Sequence, residues 1–124
     1  GIAFEEVCFK HIIQIKRALG IMGVATTQSA WSLRGDEDVE GTQIDLLIER
    51  NDNIVNMCEM KFYSEEFAVD KAYHAKLVHR QNVLLEQADR RSAIHTTLVT
   101  TYGLKYNEYS GVFTNVVTLE HLFS

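Results

Sequence analysis

The apolar positions change period along the chain. Over residues 2–19, Phe4, Cys8, Ile12, Ile15 and Leu19 recur every three or four residues, the spacing of one helix face. Glu6 and Lys10 stand four apart on the polar side. Glu5 differs, because its helical neighbours are Cys8, Phe9 and Ile12, so it borders the apolar face. Gly20 and Gly23 end this helix. Residues 24–34, VATTQSAWSLR, are rich in β-formers and predict a strand. Two more strands follow over 42–50 and 54–62, with NDN between them as a tight turn, so the three form an antiparallel meander. From Val69 to Ala88 the period is helical again, through Tyr73, Leu77, Leu84 and Ala88. AIHTTLVTTY, residues 93–102, alternates as a strand; GLKYNEYSG is a loop, VFTNVV a short strand and TLEHLF a short terminal helix. The order α-β-β-β-α-β, then β-α, predicts an α/β fold whose mixed sheet carries a helix on each side.

Charge interrupts two of these strands. Side chains alternate faces along a strand. In 54–62, Val55, Met57, Glu59 and Lys61 therefore share one face, and Ile54, Asn56, Cys58, Met60 and Phe62 the other. In 42–50, Ile44, Leu46 and Ile48 share a face, while Asp45 points with Leu47 and Glu49. If the hairpin matches these faces, Asp45 lies close to Glu59. Two carboxylates converging on partly buried ground repel each other unless a cation fills the gap. Oxygen-only ligands suit Mg²⁺ or Mn²⁺. A lysine beside them can orient a water and stabilise developing negative charge. The plainer alternative is an ordinary ion pair, with Glu59 and Lys61 as neighbours on an edge strand and Asp45 near a strand end. Glu5 favours the first reading, since the ion pair gives no reason for a further ionisable group on the core edge of another element.

Composition narrows the classes. A chain of 124 residues with 46% apolar content is expected to fold as one domain, 1–124. The net charge of −5 excludes coating nucleic acid through bulk electrostatics. Contact with a polyanion has to come from a local patch. The helix over 69–88 and its end supply the most basic stretch, with Lys71, Lys76, Arg80, Arg90 and Arg91 against Asp70, Glu86 and Asp89. Cys8 and Cys58 lie in apolar runs and read as buried, unbridged thiols of a reducing compartment. No apolar run approaches the roughly 18 residues of a membrane span, and no signal peptide is visible, so the expected location is the cytoplasm. His74 and His79 are five apart and do not share a helix face, which argues against zinc. The acidic loop from Asp36 to Glu40 reads as a solvated turn. The chain opens GIAFEEVCF, already helical in pattern and without an initiator Met, as expected of a piece of a longer protein.

QID followed after thirteen residues by EMK resembles the D…(D/E)xK signature of the PD-(D/E)XK nuclease superfamily. The predicted element order resembles that superfamily's restriction-endonuclease-like αβββαβ core. More narrowly, GIAFEEVCF, GTQIDLLIER, CEMKFY and TTYGLKYNEYSG resemble the C-terminal domain of predicted prokaryotic AAA-type ATP-binding proteins, over nearly the whole chain. The resemblance implies a Mg²⁺- or Mn²⁺-dependent nuclease acting on DNA, with RNA as the other candidate polymer, joined to an ATPase domain upstream; it is compatible with a homo-oligomer. It further implies Asp45 and Glu59 as metal-binding acids, Met60 as a carbonyl ligand, Lys61 as the catalytic lysine and Glu5 as the first-helix acid. Lys71, Tyr73, Lys76 and Arg80 would contact the substrate. The proline of the family's name is absent, and Ile44 precedes Asp45, which removes no ligand. The rival expectation is a nuclease-like fold kept as a DNA-docking or protein-interaction module.

Overall fold

The apolar run IDLLI and the mixed run IVNMCEM fold back on each other through Asn51–Asn53, where Asn53 takes a left-handed backbone (φ 65°). Asparagine accepts that region at lower cost than most residues. In the computed structural model this hairpin is the centre of a five-stranded sheet. The structure describes residues 10–33, 42–87, 92–118 and 120, and for 31–33, 42, 43 and 45 the backbone alone. The strands are β1 (Thr26–Leu33), β2 (Thr42–Arg50), β3 (Ile54–Lys61), β4 (Ala93–Thr100) and β5 (Asn115–Thr118), and the helices α1 (Ile12–Leu19) and α2 (Lys71–Gln87). Spatial order follows chain order, β1-β2-β3-β4-β5. β1, β2 and β3 pair antiparallel; β3–β4 and β4–β5 pair parallel. A parallel neighbour needs a long crossover, and α2 supplies it between β3 and β4. The protein is thus α/β with the order αβββαββ, consistent with a restriction-endonuclease-like core.

Helix ends follow local chemistry. Gly20 closes α1 in the left-handed region (φ 74°), with its N–H on Arg17 O and that of Ile21 on Lys16 O. Asp70 caps α2: its Oδ1 accepts the Tyr73 N–H at 2.7 Å. The strand expected over 24–34 begins at Thr26 and is described as far as Leu33, and the one expected over 93–102 ends at Thr100. The expected terminal helix, the start of the first helix with Glu5 and Glu6, and the acidic loop lie outside the described residues, Glu120 excepted.

Two apolar layers sandwich the sheet. On the α2 side, Leu77 and Leu84 pack with Leu47, Val55, Met57 and Leu98. On the α1 side, Ile15 packs with Leu46, Ile48, Cys58, Val99 and Val117. The central strands are buried on both faces, which is why β2 reads as a nearly continuous apolar run. The expected alternation fails at one place. Ile44 lies in the α2 layer with Leu47, not with Leu46 and Ile48. Ser29 pairs with Leu47 and Trp31 with Ile44, leaving Ala30 opposite both Asp45 and Leu46. That is a β-bulge, and the extra residue puts Ile44 on the face opposite to the one that strict alternation gives it.

Residues 101–114 join β4 to β5. Phe67 and Leu104 form a parallel bridge, with Phe67 N–H on Gly103 O at 2.9 Å and Lys105 N–H on Phe67 O at 2.8 Å. Asn107 Nδ2 donates to Val69 O at 3.0 Å. These bonds tie the segment leading into α2 to the end of β4, and so fix where α2 starts above the sheet. No helix among the described residues is long and apolar enough to cross a membrane.

Candidate active site

β3 delivers Glu59 and Lys61 to the α2 face, as alternation requires. Glu59 has no solvent exposure. Its Oε1 accepts the Tyr73 hydroxyl at 3.2 Å and the Arg80 Nη1–H, which also closes an ion pair. Its Oε2 is buried and has no hydrogen-bond partner among the described residues. Tyr73 and Arg80 are seven residues apart on α2, two turns along one face. The Lys61 Nζ lies over the Tyr73 ring, 5.0 Å from its centroid, in cation–π range. Behind Tyr73, Phe67 packs nearly perpendicular, centroids 5.3 Å apart. Thr100 Oγ1 donates to Lys61 O at 2.5 Å, anchoring the end of β3 to β4.

A carboxylate taken wholly out of water is costly unless paired and hydrogen-bonded. Arg80 supplies the opposite charge and Tyr73 a neutral donor, both to one oxygen. The lone pairs of the other oxygen are used by no described residue. An orphaned, buried, anionic oxygen suits a hard cation such as Mg²⁺ or Mn²⁺, so the donor set fits the metal that the resemblance implies.

The remaining expected residues distribute as follows. Asp45 lies in β2 at the bulge, next to Leu46, whose partner on β3 is Cys58; one step beyond that pair along the two strands stand Asp45 and Glu59. The side chain of Asp45 and all of Glu5 fall outside what is described. Met60 turns to the α1 layer, half-buried against its core. Lys71 and Lys76 are exposed on α2. Tyr73 and Arg80, expected to meet the substrate, are half-buried and bonded to Glu59. Among the described residues no three His, Cys, Asp or Glu side chains gather as a metal cluster. Glu59 is the one member of the expected acid set whose side chain is described.

Sequence reasoning missed the Arg80–Glu59 pair. The signal was present: residues 73, 77, 80 and 84 form one stripe at helical spacing, and Arg80 stands inside it between Leu77 and Leu84. An arginine within an apolar stripe points to a buried acid on the facing strand.

A second polar cluster lies on the α1 face at the hairpin end. Arg50 Nη1 donates to Asn56 Oδ1 at 3.3 Å, and Asn56 Nδ2 to Thr97 Oγ1 at 3.1 Å. Arg50 also grips Asp52 through two bonds, 2.9 Å from Nε and 2.5 Å from Nη2. Arg50, Asp52, Asn56 and Thr97 are each hydrogen-bonded within this cluster or to the main chain, so its role is structural.

No family model and no curated protein matches this sequence. Among solved structures it is similar to the crystal structure of the protein of unknown function AF1548, with a TM-score of 0.52 and 15% identity over 94% of this chain. The chain spans 64% of the length of that structure. At this identity the likeness is one of fold, a mixed α/β sheet.

Proposed function

We propose that this chain is a PD-(D/E)XK nuclease domain of the type joined to an AAA-type ATPase, hydrolysing phosphodiester bonds of DNA in the cytoplasm with Mg²⁺ or Mn²⁺. The observation that carries this reading is Glu59: a fully buried carboxylate with one oxygen clamped and the other without a partner among the described residues, two residues from a lysine on the same face. In this reading Glu59 Oε2, Asp45, the Met60 carbonyl and Glu5 would hold the cation. When bound, the cation supplies Lewis acidity at the scissile phosphate and a lowered pKa for a coordinated water. The Lys61 ammonium orients the attacking water and stabilises charge on the phosphate. Lys71 and Lys76 meet the backbone of the polymer.

A second reading has its own support. Arg80 already neutralises Glu59, and the chain carries −5 overall. A nuclease-like fold serving as a docking module would need no cation at Glu59. Lys61→Ala separates the two, since it removes a charge aimed at phosphate and no metal ligand. The nuclease reading expects Mn²⁺ binding retained and cleavage reduced by about 10²-fold or more, whereas Asp45→Ala loses Mn²⁺ binding. The assay uses single- and double-stranded DNA and RNA, with the full-length protein. Absence of metal-dependent cleavage on every substrate, with Mn²⁺ bound, would falsify the nuclease reading and leave the docking module.

A further inference from the structure

We infer that Tyr73 is a positioning residue that sets both members of the Glu59–Lys61 pair from a single side chain. The inference rests on the reading of Glu59 as a metal ligand and Lys61 as the water-orienting lysine. Tyr73 touches each through a different part of itself. Its hydroxyl donates to Glu59 Oε1 at 3.2 Å, and its ring face lies under the Lys61 Nζ at 5.0 Å. By holding Oε1, the hydroxyl turns Oε2, the oxygen with no partner among the described residues, into the atom presented to a cation. The ring restrains a lysine that would otherwise sample many rotamers on a half-buried strand end.

Tyr73 is itself restrained at its main chain and at its ring. Its N–H is fixed by Asp70 Oδ1 at 2.7 Å in the first turn of α2. Its ring abuts Phe67 at 83°, with 5.3 Å between centroids. Phe67 in turn is held by main-chain bonds to Gly103 and Lys105. A side chain locked this way transmits position rather than merely filling space. Partners behind a metal ligand change metal affinity by about 10- to 100-fold when removed, which sets the expected scale.

Two substitutions separate the two arms. Tyr73→Phe removes the hydroxyl and keeps the ring; Tyr73→Leu removes both. Three quantities are read in the full-length protein: Mn²⁺ affinity by electron paramagnetic resonance, the chemical shift of the Lys61 ε-methylene, and kcat and KM at saturating Mn²⁺. In the wild type the Lys61 ε-protons are expected upfield of other lysines because of the ring current. Tyr73→Phe should keep that shift and bind Mn²⁺ about 10-fold more weakly or worse, with kcat at saturating Mn²⁺ falling by less than the affinity does. Tyr73→Leu should match it in Mn²⁺ affinity, lose the upfield shift, and lose further kcat without a matching change in KM. If Tyr73→Phe binds Mn²⁺ as the wild type does, or if the two variants agree in all three readouts, the positioning role is wrong while the nuclease reading stands. If the wild type itself binds no Mn²⁺, the nuclease reading falls and takes this inference with it.

Discussion

Glu59→Gln in metal-free protein gives opposite signs for two accounts of the same residue. If Glu59 is chiefly a carboxylate crowded by another carboxylate, neutralising it relieves repulsion and the domain becomes as stable or more stable. The structure argues for the reverse. The Glu59 side chain is 1% exposed and that of Arg80 22%, so the pair lies largely out of water. Removing one partner of a buried pair leaves the other charge unmatched, at a cost of about 3–5 kcal/mol in deeply buried cases. Here the glutamine still offers an oxygen to Tyr73 and Arg80, and Arg80 keeps some solvent. The loss then approaches that of a charge-assisted hydrogen bond, about 1.5–3 kcal/mol. For a domain of this size that is a fall of roughly 10 °C in Tm. Urea unfolding by circular dichroism with EDTA present measures it. A double-mutant cycle with Arg80→Met isolates the pair from other effects of either change. Glu59→Gln as stable as wild type, with no coupling to Arg80, would refute the argument and restore carboxylate crowding as the dominant interaction.

Two further outcomes are expected elsewhere. Lys71→Gln with Lys76→Gln should weaken polymer binding at all sequences and lower the slope of log affinity against log salt by about 2, one for each phosphate contact; an unchanged slope places the polymer on another face. The two bonds and the charge from Arg50 hold the Asp52 carboxyl below its ordinary value of 3.8. A depressed carboxyl stabilises the fold above its unfolded pKa and loses that contribution as pH falls through the lower, folded one. Acid denaturation below about pH 4 should therefore be shallower in Asp52→Asn, and identical pH profiles for variant and wild type would rule this contribution out.

Much of the fold was legible because burial on a mixed sheet writes itself into period. The span of β2 matches the expected 42–50 at both ends, and β3 differs by one residue. Glu59 and Lys61 do share the α2 face, since alternation along β3 runs undisturbed through Met57 and Val55. Along β2 the same rule fails because a bulge belongs to a pair of strands. Nothing in IDLLI marks that Ala30, on the neighbouring strand, will stand opposite two residues. The bridge between Phe67 and Leu104 was equally hidden, being a contact between two loops far apart in sequence. Yet that bridge fixes the height of Tyr73 above the sheet.

Arg80 changes the electrostatics of α2 more than it changes its shape. Counted by sequence, Lys71, Lys76 and Arg80 make the helix basic and suggest a track for a duplex. Position divides that count. Arg80 turns inward with Tyr73, Leu77 and Leu84, and its charge is cancelled at Glu59. Outward, Lys71 and Lys76 remain exposed, with Glu86 exposed towards the far end. Two lysines within about two turns engage only a short length of backbone. Both stand in the first half of α2, the half that begins at Asp70 and carries Tyr73 over Lys61. Helix α2 therefore divides its side chains around its axis: the inward stripe shapes the carboxylate, while Lys71 and Lys76, five apart and so about 140° from each other, are exposed on different flanks of its first half. In the proposed reading, a polymer held by the start of α2 would lie close to the Lys61 end of β3 rather than along the helix, and that is the end at which the β2–β3 pairing stops, beside Asp45.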